Sequence, residues 1–186
     1  MSQSDLPDYV LRNRKRWDAW APEWVAAGER NWAAAEPDWG IWGIPETELH
    51  MLDGIEGIDA IELGCGTGYV SSWMARRGAR VVAIDNSPKQ LETARRLQVE
   101  HGLEFPLLLG NAEAVPLPDA SFDFAISEYG VVIWADPYRW VPEAARLLRP
   151  GGRLVFLTGG LLLMLCSPEM DADPVGDRLL RDLFGL

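Results

Sequence analysis

The chain has 186 residues and a formal net charge of −11, from 17 Lys and Arg against 28 Asp and Glu. That length suits one domain with an arm, and the acidity argues against a basic face for nucleic acid or an anionic membrane surface. Hydrophobic residues make up 48%, enough for a core and too many for a disordered chain.

Residues 1–8 are polar and acidic, without a signal-peptide pattern. The longest apolar run, 161–166, is too short to span a bilayer. Cys65 and Cys166 stand in neither metal nor redox spacing and read as reduced thiols, so a cytoplasmic protein without a metal site is expected.

Tyr9 to Trp32 has few breakers apart from Pro22 and predicts a helix. Trp17, Trp20 and Trp24, at i, i+3 and i+7, share one of its faces. Six of the nine tryptophans precede residue 50: these three with Trp32, Trp39 and Trp42. They either pack the arm onto the body or line an apolar pocket, and packing is the plainer reading. Arg12, Arg14, Lys15 and Arg16 read as a solvated face. Pro45 starts a short helix through Leu52 that carries His50.

From residue 55 strands and helices alternate. Ile58–Leu63 predicts a strand, the glycines at 64–68 a loop, and Tyr69–Arg77 a helix stopped by Gly78. Arg80–Ile84 is a second strand. Ser87, Pro88 and Gln90 read as cap, first helical residue and capping-box partner of a helix ending at Gly102. Phe105–Leu109, Asp123–Ser127 and Arg153–Thr158 are further strands. Pro137–Leu148 is a helix capped by Asp136. This alternation predicts an α/β protein with a doubly wound, mostly parallel sheet. Residues 1–54 form the helical arm or lid and residues 55–186 the sheet domain. Asp171–Leu186 reads as an acidic amphipathic helix with no hairpin after it, so either the chain is a truncated product or another copy covers the sheet edge.

The informative stretch is Ile61-Glu62-Leu63-Gly64-Cys65-Gly66-Thr67-Gly68-Tyr69-Val70. A strand, a glycine loop and a helix start follow one another, with Asp85 closing the next strand, which is the arrangement of a nucleotide site whose carboxylate grips ribose hydroxyls. The loop is G-x-G-x-G, without the spacing of a dinucleotide fingerprint and without the Gly-Lys-Ser/Thr of a P-loop. Glu62 repels a pyrophosphate and suits an ammonium or sulfonium, which favours S-adenosylmethionine over a nicotinamide nucleotide.

With Val81–Asp85, Gly110–Pro118, Phe122–Ser127 and Leu148–Leu154, this stretch resembles the class I S-adenosylmethionine-dependent methyltransferases, nearest to the type 11 small-molecule group. The resemblance covers residues 55–158 and implies a Rossmann-like fold and methyl transfer to a small molecule, with no nucleic acid or membrane partner. It implies that Gly64, Cys65, Gly66 and Gly68 form the cradle for the methionine part of the cofactor. Glu62 would take its amino group, Asp85 the ribose, and Asn86, Asn111, Ala112 and Glu113 the adenine. Ser127 and Glu128 would face the methyl group and the acceptor. Asn111 stands where the family commonly has an aspartate, and the family's last two strands lie beyond this chain. Catalytic candidates are Glu128, Tyr129 and His50, each with a plainer structural reading. The alternative function is an inactive or partner-dependent S-adenosylmethionine-binding protein.

Overall fold

The computed structural model describes residues 6–167, 176 and 178–180. A 26-residue helix, α1 (Asp8–Ala33), forms the arm and tolerates Pro22 in its interior. A short ribbon, β1 (Asp38–Trp39) with β2 (Ile44–Pro45), and one turn of helix, α2 (Glu46–Leu49), lead into the body. There β3 (Asp59–Leu63), α3 (Tyr69–Arg76), β4 (Arg80–Asp85), α4 (Pro88–His101) and β5 (Leu107–Leu109) alternate. They are followed by β6 (Phe122–Glu128), α5 (Val131–Trp134), α6 (Pro137–Leu147), β7 (Leu148–Leu157) and α7 (Leu161–Cys166).

The five long strands form one parallel sheet in the order β5-β4-β3-β6-β7. The chain winds outward from β3 to β5 and then crosses back to β6 on the other side of β3. That reversal opens a crevice at the carboxyl ends of β3 and β6, the place where parallel sheets bind ligands. Among the described residues β7 pairs with β6 alone. Of the helix expected over 171–186 only residues 176 and 178–180 are described, and none of these is helical.

Two apolar layers hold the sheet. On one side Trp32 of α1, Val70 and Trp73 of α3, and Leu91 and Leu97 of α4 pack on Ala60, Ala83, Phe124 and Ile126. On the other, Val131 of α5 and Trp140, Ala144 and Leu147 of α6 pack on Ile61, Leu63, Ile84 and Ala125. Helices on both faces make the sheet doubly wound, as expected, and continuous burial along β3 reflects that two-sided cover. At the amino ends of the strands Arg149 bridges Asp59 and Asp123 at 2.8 and 2.7 Å.

The arm is fixed to the glycine loop from below. Trp32 is fully buried and its indole N–H donates to the Thr67 carbonyl at 2.8 Å. Gly28 presses its bare Cα on the Thr67 side chain, where an added Cβ would lie 2.7 Å from Oγ1. Gly28→Ala gains helix propensity but must push Thr67 aside. A net loss of about 1–2 kcal/mol is expected from the overpacking, visible as a lower urea midpoint; a raised midpoint would show that the contact yields freely.

Candidate functional site

The glycine loop is shaped by two different demands. Gly64, at φ +75°, lies against the loop that follows β6: a Cβ there would meet the Val131 amide nitrogen at 2.6 Å. Reciprocally, a Cβ on Gly130 would meet the Gly64 carbonyl oxygen at 2.3 Å. This pair lets the two loops of the crevice touch main chain to main chain. Gly66, at φ +52°, is open on its side-chain face, its nearest neighbour being Gln90 Oε1 at 3.9 Å. Gly68 caps α3 at φ +74° and faces Ala94, Phe105 and Trp32 at 3.5–3.8 Å. Its role is packing, and it does not line the cavity, which departs from the expected cradle role.

A cavity of about 670 Å3 runs along this loop and under the arm. It brings together Glu62, Gly64, Cys65, Gly66, Asp85, Asn86, Asn111, Ala112, Glu113, Glu128 and Tyr129 from the expected set. It does not include Ser127 or His50. Ser127 lies on the opposite face of β6 from Glu128, fully buried with its hydroxyl unpartnered, because successive strand residues alternate. His50 closes α2 in a left-handed conformation and pairs with Asp53 at 3.2 Å on the surface.

Glu62 is 2% exposed and accepts from both the Ser71 amide, at 2.8 Å, and the Ser71 hydroxyl, through one oxygen. Burial in the presence of Glu128 and Asp85 pushes its carboxyl up to about 8, the two bonds from Ser71 only partly opposing the rise. Asp85 accepts from the Gly66 amide at 2.8 Å and the Ser87 amide at 2.7 Å, which ties the glycine loop to the end of β4. Burial raises its pKa against those amides. Burial also raises the Cys65 thiol well above its ordinary value.

Other expected residues are occupied by the protein itself. Asn86 donates to the Val10 carbonyl at 2.8 Å and accepts from Arg14. Arg14 is therefore a tether, where a solvated face was expected. Asn111 Oδ1 accepts from the Glu113 amide at 3.1 Å. Glu113 accepts from Tyr9 of the arm and from the Asp136 amide, the latter at 2.9 Å. The Ser87 hydroxyl caps α4 and donates to Asp18 of α1 at 2.6 Å. The arm is thus latched to the loops after β4 and β5, in addition to the Trp32 bond to the glycine loop.

Several lining residues escaped the sequence reading. The capping box is half formed: Ser87 accepts from the Gln90 amide, but the Ser87 amide is taken by Asp85. Gln90 is left 3% exposed with Oε1 unpartnered, beside the open face of Gly66. Tyr69 donates its hydroxyl to Glu128, which also accepts from the Gly40 amide at 3.2 Å. Burial raises the Glu128 carboxyl in spite of these bonds. Trp17, Trp20 and Trp24 line the cavity with Trp134, so the pocket alternative describes them, while Trp32 and Trp39 are core.

A sulfonium nucleoside bearing an amino acid end fits these residues. The open face of Gly66 leaves room for a ligand on bare main chain. Gln90 Oε1 is a buried acceptor in need of a donor. Glu62 and Asp85 both line the cavity beside the loop and supply carboxyl oxygens as acceptors, and an ammonium beside Glu62 would favour its charged form. Residues 61–156 match the model of the methyltransferase domain family. The chain belongs to that family.

This methyltransferase domain is 41% identical over 102 residues to a malonyl-[acyl-carrier protein] O-methyltransferase of Serratia marcescens, covering 55% of this chain and 38% of that protein. It is 39% identical over 99 residues to a demethylmenaquinone methyltransferase of Thermus thermophilus, covering 52% and 45%. Each match spans less than half of the curated relative's length. Among solved structures, an S-adenosylmethionine-dependent methyltransferase from Mesorhizobium loti is 30% identical with a TM-score of 0.57, covering 68% of this chain and 59% of that one. The [4+2]-cyclase SpnF shares the fold at a TM-score of 0.64 and 24% identity, covering 77% and 58%. Among the described residues no helix is long and apolar enough to cross a membrane, and no cluster of three or more metal-binding side chains occurs.

Proposed function

We infer that this methyltransferase domain binds S-adenosylmethionine and transfers its methyl group to a small-molecule acceptor. One observation carries the reading: Glu62, Asp85 and the orphaned Gln90 oxygen surround a stretch of main chain that is open at Gly66. Named relatives acting on malonyl-[acyl-carrier protein] and demethylmenaquinone support a small or carrier-borne acceptor. When bound, S-adenosylmethionine supplies a methyl group on a positively charged sulfur that leaves as a neutral thioether.

The residues of the chain bind, orient and exclude water. Glu62 uses one oxygen to hold the start of α3 and keeps the other for the ligand's ammonium. Asp85 is already held by two amides and retains lone pairs for the ribose hydroxyls. Gln90 Oε1 accepts a further hydroxyl. Ala112, with the Asn111–Glu113 turn behind it, walls the adenine end. The arm closes the cavity through Tyr9, Arg14 and Asp18, and such closure supplies rate through positioning and dry surroundings.

Asp85→Ala removes the ribose acceptor and should weaken binding of S-adenosylhomocysteine, the demethylated product, by about 1–3 kcal/mol in calorimetry. An unchanged dissociation constant would place the ribose elsewhere. A methyl-transfer screen on a chain of the relatives' full length then separates an enzyme from an inactive binder. The lid reading expects slower proteolysis of α1 when S-adenosylhomocysteine is present; equal rates would refute it.

A further inference from the structure

The cavity also has an aromatic wall that nucleoside recognition does not use. Trp17 and Trp20 of α1 meet Trp134 of α5, with centroids 5.2 Å apart for Trp17–Trp134, 5.7 Å for Trp17–Trp20 and 6.1 Å for Trp20–Trp134, and Trp24 joins them through Trp17 at 5.9 Å. The first three contacts are edge-to-face and the fourth is tilted, so the four indoles form one connected cluster along the cavity. Asn13 fixes the two helices to each other by donating to the Trp134 carbonyl at 2.7 Å. These rings are not core residues: the buried tryptophans are Trp32, Trp39, Trp73 and Trp140, whereas Trp24 is 48% exposed. Four indoles left along a cavity, while four others fill the core, are a built apolar surface awaiting an occupant.

Charge narrows the choice of occupant. The Arg16 guanidinium already stacks on Trp20, 4.1 Å from the ring centroid, and Arg30 lines the same cavity. At this wall a cationic acceptor would have to compete with Arg16 for the Trp20 face and would meet Arg30, whereas the carboxylates that line the cavity, Asp38, Glu62, Asp85, Glu113 and Glu128, stand on elements other than α1 and α5. The cavity also offers Glu128, whose carboxylate takes hydrogen bonds from Tyr69 and Gly40 and keeps further lone pairs. A carboxylate with two donors already fixed in place is a rigid acceptor. It selects a ligand that brings an O–H and rejects one that brings only an ether or carbonyl oxygen.

We propose that the acceptor is a neutral, planar aromatic molecule bearing a hydroxyl, its ring against Trp17, Trp20, Trp24 and Trp134 and its O–H donated to Glu128. This assignment rests on the methyl-transfer reading. It assigns Tyr69 and Gly40 as positioning groups for Glu128, and the arm as the element that discriminates acceptors.

Calorimetry on the full chain saturated with S-adenosylhomocysteine tests it with three probes of similar size. 2-Naphthol should bind at least tenfold tighter than 2-methoxynaphthalene, which lacks the donor, and at least tenfold tighter than phenyltrimethylammonium, an aromatic cation. Trp17→Leu should weaken 2-naphthol at least fivefold while S-adenosylhomocysteine stays within twofold. Glu128→Leu should erase the preference for 2-naphthol over its methyl ether, and if that variant does not fold, Glu128→Gln should narrow it severalfold. Tighter binding of the cation would overturn the proposal, as would equal binding of naphthol and ether to the unaltered protein. No binding of any probe beside bound S-adenosylhomocysteine would reduce the wall to packing. Failure of S-adenosylhomocysteine itself to bind would instead remove the methyl-transfer reading, and the proposal would fall with it.

Discussion

Alanine at Gly64 should damage the fold, whereas alanine at Gly66 should leave the fold and damage binding. Gly64 has φ +75°, a conformation costing an L-residue about 1–2 kcal/mol, and its Cβ would fall 2.6 Å from the Val131 amide nitrogen. Backbone cannot rotate away as a side chain can, so the crevice must open, at roughly 1–3 kcal/mol more. Together these give about 2–5 kcal/mol, a large part of the roughly 5–15 kcal/mol that holds a domain together. The urea midpoint of Gly64→Ala should drop accordingly. Gly66→Ala carries the same left-handed strain, but its nearest neighbour is 3.9 Å away, so the methyl enters the cavity without displacing the protein. S-adenosylhomocysteine should then lose about 1–3 kcal/mol, about fivefold to over a hundredfold in dissociation constant. The reverse pattern, a stable but non-binding Gly64→Ala with an unstable but binding Gly66→Ala, would exchange the two roles.

That contrast marks how far the sequence is legible. Gly64, Gly66 and Gly68 all have positive φ, and a G-x-G-x-G string expresses nothing else. One meets a neighbouring backbone, one faces open space and one faces Ala94, and these partners are set 26 to 67 positions away in the chain. The strands and long helices were readable because their signals are local: apolar runs for β3, β4 and β6, and Ser87-Pro88 and Asp136-Pro137 as caps for α4 and α6. The period of two puts Ser127 and Glu128 on opposite faces, but which face opens on the crevice is decided by Gly40 and Tyr69 folding over Glu128.

The polar ring around the cavity was legible by residue type and not by partner. Asn86 and Asn111 have the chemistry to meet an adenine, yet their amides are engaged with Val10, Arg14 and Glu113. Asn86's partners lie more than 70 positions away, on a helix whose docking no local pattern announces. Gln90 fails in the opposite sense. Three residues after a serine cap it reads as a capping-box residue, and only the capture of the Ser87 amide by Asp85 frees its side chain for the cavity. The tryptophans show the same limit: i, i+3, i+7 spacing gives a shared face, and the position of Trp134 decides that the face lines a cavity.

Glu62→Gln should abolish a proton release that accompanies cofactor binding. The Glu62 carboxyl is pushed from 4.5 to about 8 by burial, so between those values the empty folded protein holds a proton that the unfolded chain does not. Folding stability from this group is therefore complete below about pH 4.5 and falls as pH rises toward about 8. An ammonium placed beside Glu62 favours the charged form and reverses the shift. Binding at pH 6.5 must then expel a proton, and affinity must rise with pH across the same window. Calorimetry in two buffers of different ionisation enthalpy reads that release directly. Burial also raises Asp85 and Glu128, so the variant is needed to assign the proton. Glutamine keeps an oxygen for the Ser71 amide and hydroxyl but has no charge for the ammonium, so affinity should fall by about 2–5 kcal/mol, the cost of leaving a buried charge without its partner. The stability of the unliganded variant should lose its decline toward pH 8. Undiminished proton release in Glu62→Gln would move the ammonium to Asp85 or Glu128, and the methionine end of the ligand would have to turn around in the cavity.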